Sequence, residues 1–290
     1  VKLDAVLNRP FPHTTHHPSI SDCILYALAV GLGGNPTDPK ELPFVYEGNG
    51  LKMVPTMTAV IGMPPFWFDE PELDIAWESL VHGEEAAKIH RPLRPDQTLE
   101  ARVEIEQVAD KGADHGALII MKRELHEVET DDHVATLRSS MLARRDGGFR
   151  NGQIDHQPPL TTKADFIDRD PDIVCDFDTL PQNALLYRLC GDWNKLHADP
   201  AVAAQAGFPQ PILHGLCTYA VAGHAVLRHC CDYDPGRLKA FAVRFVAPVF
   251  PGDTIRTEIW RSGEDVAFRC TVPAREVSVI ERGTARVAAA

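Results

Sequence analysis

Between Gly191 and His197 the chain reads Gly-Asp-Trp-Asn-Lys-Leu-His. A carboxylate at Asp192 and an imidazole at His197 stand five residues apart, with the Asn194 amide between them. On a bent loop such a pair can converge on one water. It supplies a base and an acid whose pKa values can be tuned near neutrality. Asn194 can hold a water or a carbonyl by hydrogen bonds. The same string also fits a plain Asx-turn followed by a surface imidazole, a common loop pattern. A second candidate is Ile212-Leu213-His214-Gly215-Leu216, which opens a long apolar stretch. A glycine at a helix N-terminus exposes its N–H to an oxyanion, and the helix dipole assists. Here too a structural reading stands: Gly215 permits close helix–sheet packing, and His214 is a hydrogen-bonded core residue.

These groups need rigid elements on either side. Ala184–Leu189 is apolar with a helical period. Asp199-Pro200 is a strong helix start, with Asp as cap and Pro in the first turn. That helix covers Pro200–Ala206 and stops at Gly207. Asp192–His197 therefore lies on a loop between two helices, where catalytic groups tend to sit. Gly215–Cys230 carries almost no charge until Arg228 and should be a helix buried on most sides. In the first half, Ser21-Asp22 can cap a helix Cys23–Val30 that ends at Gly31. Two blocks alternate apolar and polar residues as antiparallel strands do. One runs from Thr98 to Ala143, the other from Leu238 to Ala288.

The two halves look related. Ile24-Leu25-Tyr26-Ala27-Leu28 resembles Leu185-Leu186-Tyr187-Arg188-Leu189, at an offset of 161. Pro92–Leu99 resembles Pro248–Ile255, at an offset of 156. A helix plus an antiparallel sheet, occurring twice, suggests a duplicated α+β unit. One unit would span residues 1–150 and the other 163–290. Asp146–Thr162 is the link between them, rich in Gly, Asn and Pro. Aligned on the Leu-Tyr helix, Asp192 falls opposite Gly31 and His197 opposite Pro36. Only the C-terminal copy carries the acid and the imidazole, so the first half is free for binding.

Composition narrows the classes. The chain has 290 residues, 44% of them hydrophobic and 24% charged, as in globular proteins. A net charge of −12 disfavours nucleic acid and anionic membranes as partners. No segment approaches the roughly 20 apolar residues that span a bilayer. Seven cysteines without a CxxC pair point to free, buried thiols and to neither disulfides nor a zinc site. His13, His16 and His17 read as a solvated arm rather than a metal site. HExxH, GxSxG, P-loop and GxGxxG patterns are all missing, which argues against hydride transfer, serine hydrolysis and phosphoryl transfer. The polar, histidine-bearing N-terminus does not read as a signal peptide, and a start at Val1 instead of Met fits a processed or excised chain.

Several motifs together resemble a known family. Tyr187–His197, Ala206-Gly207-Phe208 and Pro211–Cys217 are similar to the MaoC-like (R)-specific 2-enoyl-CoA hydratases, or hydratase 2. That domain also occurs in peroxisomal multifunctional enzyme type 2. The first half adds Phe44–Gly48, Val81–Glu84 and Asp110–Gly112; the second adds Val243–Phe245 and Pro248–Asp253. Lys195 stands where many members have Pro, which leaves the acid and base untouched. The resemblance implies a double hot-dog fold, two long helices each wrapped by an antiparallel sheet. It implies a catalytic group of Asp192, Asn194 and His197, with the Gly215 N–H at the oxyanion. It implies that Glu47, His82, Gly83 and Lys111 line or close the substrate site, with His214 and Phe245 beside them. The expected reaction is reversible hydration of trans-2-enoyl-CoA to (3R)-3-hydroxyacyl-CoA, as in fatty acid β-oxidation. It needs no metal and no cofactor beyond the CoA of the substrate. A homodimer is expected. A biosynthetic dehydratase acting on carrier-protein thioesters, a non-catalytic acyl-thioester binding module and a thioesterase are the alternatives. The closing Ala288-Ala289-Ala290 carries no Ser-Lys-Leu signal, which favours the cytoplasm, with the peroxisome as the alternative for an excised domain.

Overall fold

Ten segments pair into one antiparallel sheet in the computed structural model, which describes residues 1–289. The first half supplies β1 (Thr14–His16), β2 (Leu80–Ile89), β3 (Leu99–Asp110), β4 (Ala117–Glu127) and β5 (His133–Ala143). The second supplies β6 (Ile173–Asp178), β7 (Leu238–Phe245), β8 (Thr254–Ser262), β9 (Asp265–Val272) and β10 (Val277–Val287). The order across the sheet is β1-β3-β4-β5-β2-β7-β10-β9-β8-β6. Read outward from the centre, both halves follow the same path. The halves join at β2 and β7, which pair from Glu84 opposite Arg244 to Lys88 opposite Ala240. The fold is a double hot-dog of α+β class, and no helix among the described residues is long and apolar enough to cross a membrane.

The helix Gly215–Cys230 forms over the range its apolar run indicates. It packs on β7, β8 and β10 and against the turn Pro55–Ala59 of the first half. The resemblance implied a second long helix; the structure corrects this. Between β1 and β2, where the counterpart would lie, Pro55–Ala59 is a short 3-10 turn, fully buried. Pro55 sits in its first turn, Gly62 has a left-handed φ of +62°, and Pro64-Pro65 follow. No sixteen-residue helix can run through that string. The helix after β1 also begins earlier than Ser21-Asp22 suggested. It spans Ile20–Ala29, and Ser19 and Asp22 form a reciprocal capping box at its start.

One apolar core runs through both halves. It holds Tyr26, Phe44 and Leu125 from the first and Tyr187, Tyr219 and Phe241 from the second. A smaller cluster under β3 and β4 contains Trp67, Phe68, Ile119 and Met121. All seven cysteines are free. Cys230 and Cys231 are buried, and burial pushes their thiols up to about 11 and about 12 respectively, so they pack rather than react.

Candidate active site

The helix Asn183–Tyr187 tightens into a 3-10 turn, Arg188–Cys190, and Gly191 ends it at a φ of +128°. There the chain doubles back through two nested Asx-turns. Asp192 Oδ1 accepts the Asn194 N–H at 3.2 Å, and Asn194 Oδ1 accepts the Leu196 N–H at 3.0 Å. The Asx-turn reading is therefore correct for the backbone. The surface-imidazole reading is not, because His197 is buried at the end of the turn Lys195–His197. Asn194 spends its side-chain oxygen on the loop itself. Asp199 then caps the helix Pro200–Gln205, accepting the Ala201 N–H at 2.8 Å.

Two imidazoles stack under this loop. The rings of His197 and His214 lie 3.7 Å apart at 27°. His197 donates its Nδ1–H to the Ile212 carbonyl at 2.9 Å, so Nε2 is left with its lone pair. His214 donates Nε2–H to the backbone carbonyl of Asp192 at 3.1 Å, which pins the loop from beneath. Burial holds His197 below the usual imidazole range, and the Asp192 carboxylate pushes back against that shift. Burial, then the neighbouring His197, holds His214 at about 2. Both rings are thus neutral at pH 7, and His197 is the one equipped to take a proton. Asp192, His197 and His214 each place one donor-type atom within 4.8 Å of the others. The set does not suit a resident metal. Lone pairs lie in their ring planes, and planes this nearly parallel do not aim at one ion.

The long helix starts beside this group. His214 is its N-cap and offers no side-chain cap bond, and the Gly215 N–H has no acceptor among the described residues. Phe245 of β7 lies over Gly215; a methyl group there would meet its ring at 3.4 Å. His82 of β2 packs on the same ring, 4.9 Å between centroids. Gly83 fits under Ser140 at the bulge of β2. The structure thus brings Asp192, Asn194, His197, His214, Gly215, Phe245, His82 and Gly83 into one neighbourhood. Two predicted residues are held elsewhere. Lys111 donates from Nζ to the Asp155 carbonyl in the link between halves, and Glu47 is exposed on the turn Glu47–Asn49. No hydrogen bond or ion pair among the described residues ties either one to the loop. His214, predicted to contact substrate, is fully buried and acts on the loop.

Sequence reasoning gave no role to Tyr187 and overlooked Phe177. Tyr187 sits between Tyr26 at 5.9 Å and His214 at 5.1 Å. The two tyrosines of the repeated Leu-Tyr landmark thus meet where the halves meet, a pairing the repeat itself could have flagged. Phe177 of β6 explains the silent copy. A side chain at Gly31, opposite Asp192, would strike the Phe177 ring at 2.2 Å, and Gly31 has a φ of +94°.

A duplicated hot-dog sheet with an acid–imidazole loop from one copy defines the MaoC-like class. Residues 153–282 match the MaoC like domain family, and residues 17–145 match the MFE-2 hydratase 2 N-terminal domain family. The chain belongs to the hydratase 2 family of MaoC-like proteins. It is 35% identical to the peroxisomal enoyl-CoA hydratase 2 of Arabidopsis thaliana, over 96% of this chain and 93% of that one. It is 34% identical to the peroxisomal multifunctional enzyme type 2 of Mus musculus, over 86% of this chain and 34% of that one. The crystal structure of a MaoC-like dehydratase from Phytophthora capsici superposes with a TM-score of 0.83, at 31% identity and full coverage of both chains.

Proposed function

We propose that this chain hydrates trans-2-enoyl-CoA reversibly to (3R)-3-hydroxyacyl-CoA in fatty acid metabolism. The observation that carries the reading is the hydrogen bond between His197 Nδ1 and the Ile212 carbonyl. The imidazole Nδ1–H is committed to Ile212, so the Nε2 lone pair is free near Asp192. A water held by Asp192 and His197 loses a proton as its oxygen bonds to C3. The electron pair of the double bond moves toward the thioester carbonyl, and the open Gly215 N–H receives the developing oxyanion. A proton delivered to C2 by the same acid–base pair completes the addition. The relatives named enoyl-CoA hydratase 2 support this substrate class.

Replacing a positioned acid or base commonly loses about 100- to 10,000-fold in rate. Asp192→Asn and His197→Gln should each show that loss in the absorbance assay of the enoyl thioester. Near-normal turnover by both would sink the assignment. The reaction needs no cofactor apart from substrate CoA, so dialysis against EDTA should leave the rate unchanged. We place the working enzyme as a homodimer, to be checked by sedimentation. The names of the plant and mouse relatives support a peroxisomal location over a cytoplasmic one, which co-localisation of the tagged natural protein tests.

A further inference from the structure

Away from the catalytic loop, the C-terminal half is open at one end. There Cys230 closes the long helix, the chain turns at Gly263 between β8 and β9, and β10 runs out through Val287. These segments line a cavity of about 280 Å³ that opens to solvent. A helix rises about 1.5 Å per residue, so Cys230 stands roughly 22 Å from Gly215 and the oxyanion site. The hydration step uses nothing at this end.

Two guanidiniums, Arg237 and Arg261, line the cavity together. Arg237 donates its Nε–H to the Ala288 carbonyl at 3.0 Å, and its side chain makes no other hydrogen bond among the described residues. Arg261 engages Asp172 and Arg169 through its backbone alone. No ion pair among the described residues reaches either side chain. Burial lifts the buried Cys230 thiol to about 11, and the charges of Arg261 and Arg237 both pull against that rise. Two like charges thus act on one sulfur in the cavity wall. Cations do suit a helix C-terminus, but that end carries only about half a negative charge, and Arg228 already sits in the last turn.

Charge and wall chemistry select the occupant. Glu264 also lines the cavity, but Arg286 holds it at 2.7 Å and Asp265 at 2.7 Å. Three guanidiniums thus stand against two carboxylates, an excess of one positive charge, which fits a monoanion. The rest of the wall is apolar, with Cys230, Val266, Val287 and Ala289. A bare phosphate would leave these groups wet and bring a second negative charge beside Glu264. An acyl-CoA is too large, since the volume falls at the low end of ligand sites, about 300–1,000 Å³. A carboxylate with a short apolar chain meets both demands, its oxygens on the guanidinium forks and its chain out of water. We infer that this cavity binds a short-chain carboxylate, its head between Arg237 and Arg261 and its chain against Val266 and Val287.

The test is calorimetric titration of the full chain with sodium hexanoate, which should bind once per chain. Hexan-1-ol and hexylamine match its length without the negative charge and should bind about 10-fold more weakly or worse, as should inorganic phosphate. Arg261 is exposed at the rim, so Arg261→Met should fold as wild type and lose about 10-fold or more in hexanoate affinity. Arg237→Met should lose as much; because Arg237 also holds Ala288, its circular dichroism is compared with wild type. His197→Gln separates this cavity from the catalytic site and should bind hexanoate as wild type does. No saturable binding, phosphate bound as tightly as hexanoate, or an affinity unchanged in Arg261→Met would overturn the inference. So would a loss of hexanoate binding in His197→Gln.

Discussion

His197 and His214 carry the acid–base character of the site and a share of its pH-dependent stability. Unfolded, each imidazole titrates near 6.5. Folded, burial holds both lower, His214 at about 2. Below pH 6.5 the unfolded chain therefore binds protons that the folded chain refuses. Their contribution is intact above that pH and falls as pH drops, for His214 by about 1.4 kcal/mol per pH unit. Urea titrations at pH 7.5 and 5.5 should show wild type losing more stability between the two than His214→Gln does. Equal losses would remove His214 from the account. At this scale the sequence was most informative: Asp192, Asn194, His197 and Gly215 were legible as residue types at a spacing. The direction of the His214 bond was not, because a bond to the Asp192 carbonyl depends on how the loop doubles back.

Elements were legible where one rule governed them. Gly215–Cys230 has one apolar character throughout, and its limits were read correctly. No strand was read at β2, since it buries Glu84 and Glu85 and carries a bulge between His82 and Glu84, all of which break alternation. Glu84 is buried to hold the link, accepting the Leu160 N–H at 2.8 Å and the Thr161 hydroxyl at 2.6 Å. β10 lies within the block read to Ala288, and its register shifts between Glu281 and Thr284. Where the long helix crosses the first half, contact is tightest at Gly223. A methyl group there would lie 2.4 Å from Thr56 Cγ2. Thr56 is buried and receives the Tyr26 hydroxyl at 3.2 Å, so it cannot swing aside freely. Gly223→Ala should cost about 1–3 kcal/mol by overpacking. Denaturant unfolding should show a lower midpoint, and adding Thr56→Ser should recover part of the loss.

Across the whole molecule, the repeat of two landmarks at nearly one spacing made the duplication legible. The manner of joining was not legible, because strand order depends on pairing between residues more than a hundred positions apart. The halves share one core and the β2–β7 ladder, whereas residues 144–172 contain no helix or strand. A chain cut at the exposed Asn151-Gly152 should therefore stay associated and active. A protease site inserted there, followed by cleavage and gel filtration, checks this; separation of the fragments would show that the covalent link holds the halves together.

The Phe177 ring beside Gly31 works as a one-way latch on the history of the chain. An acid restored at Gly31 would meet an aromatic ring and a backbone closed to side chains, and Pro36 would still lack an imidazole. Reversal needs changes at Gly31, Phe177 and Pro36 together. The two halves of the polypeptide are thus locked into unequal shapes at this loop by one aromatic ring.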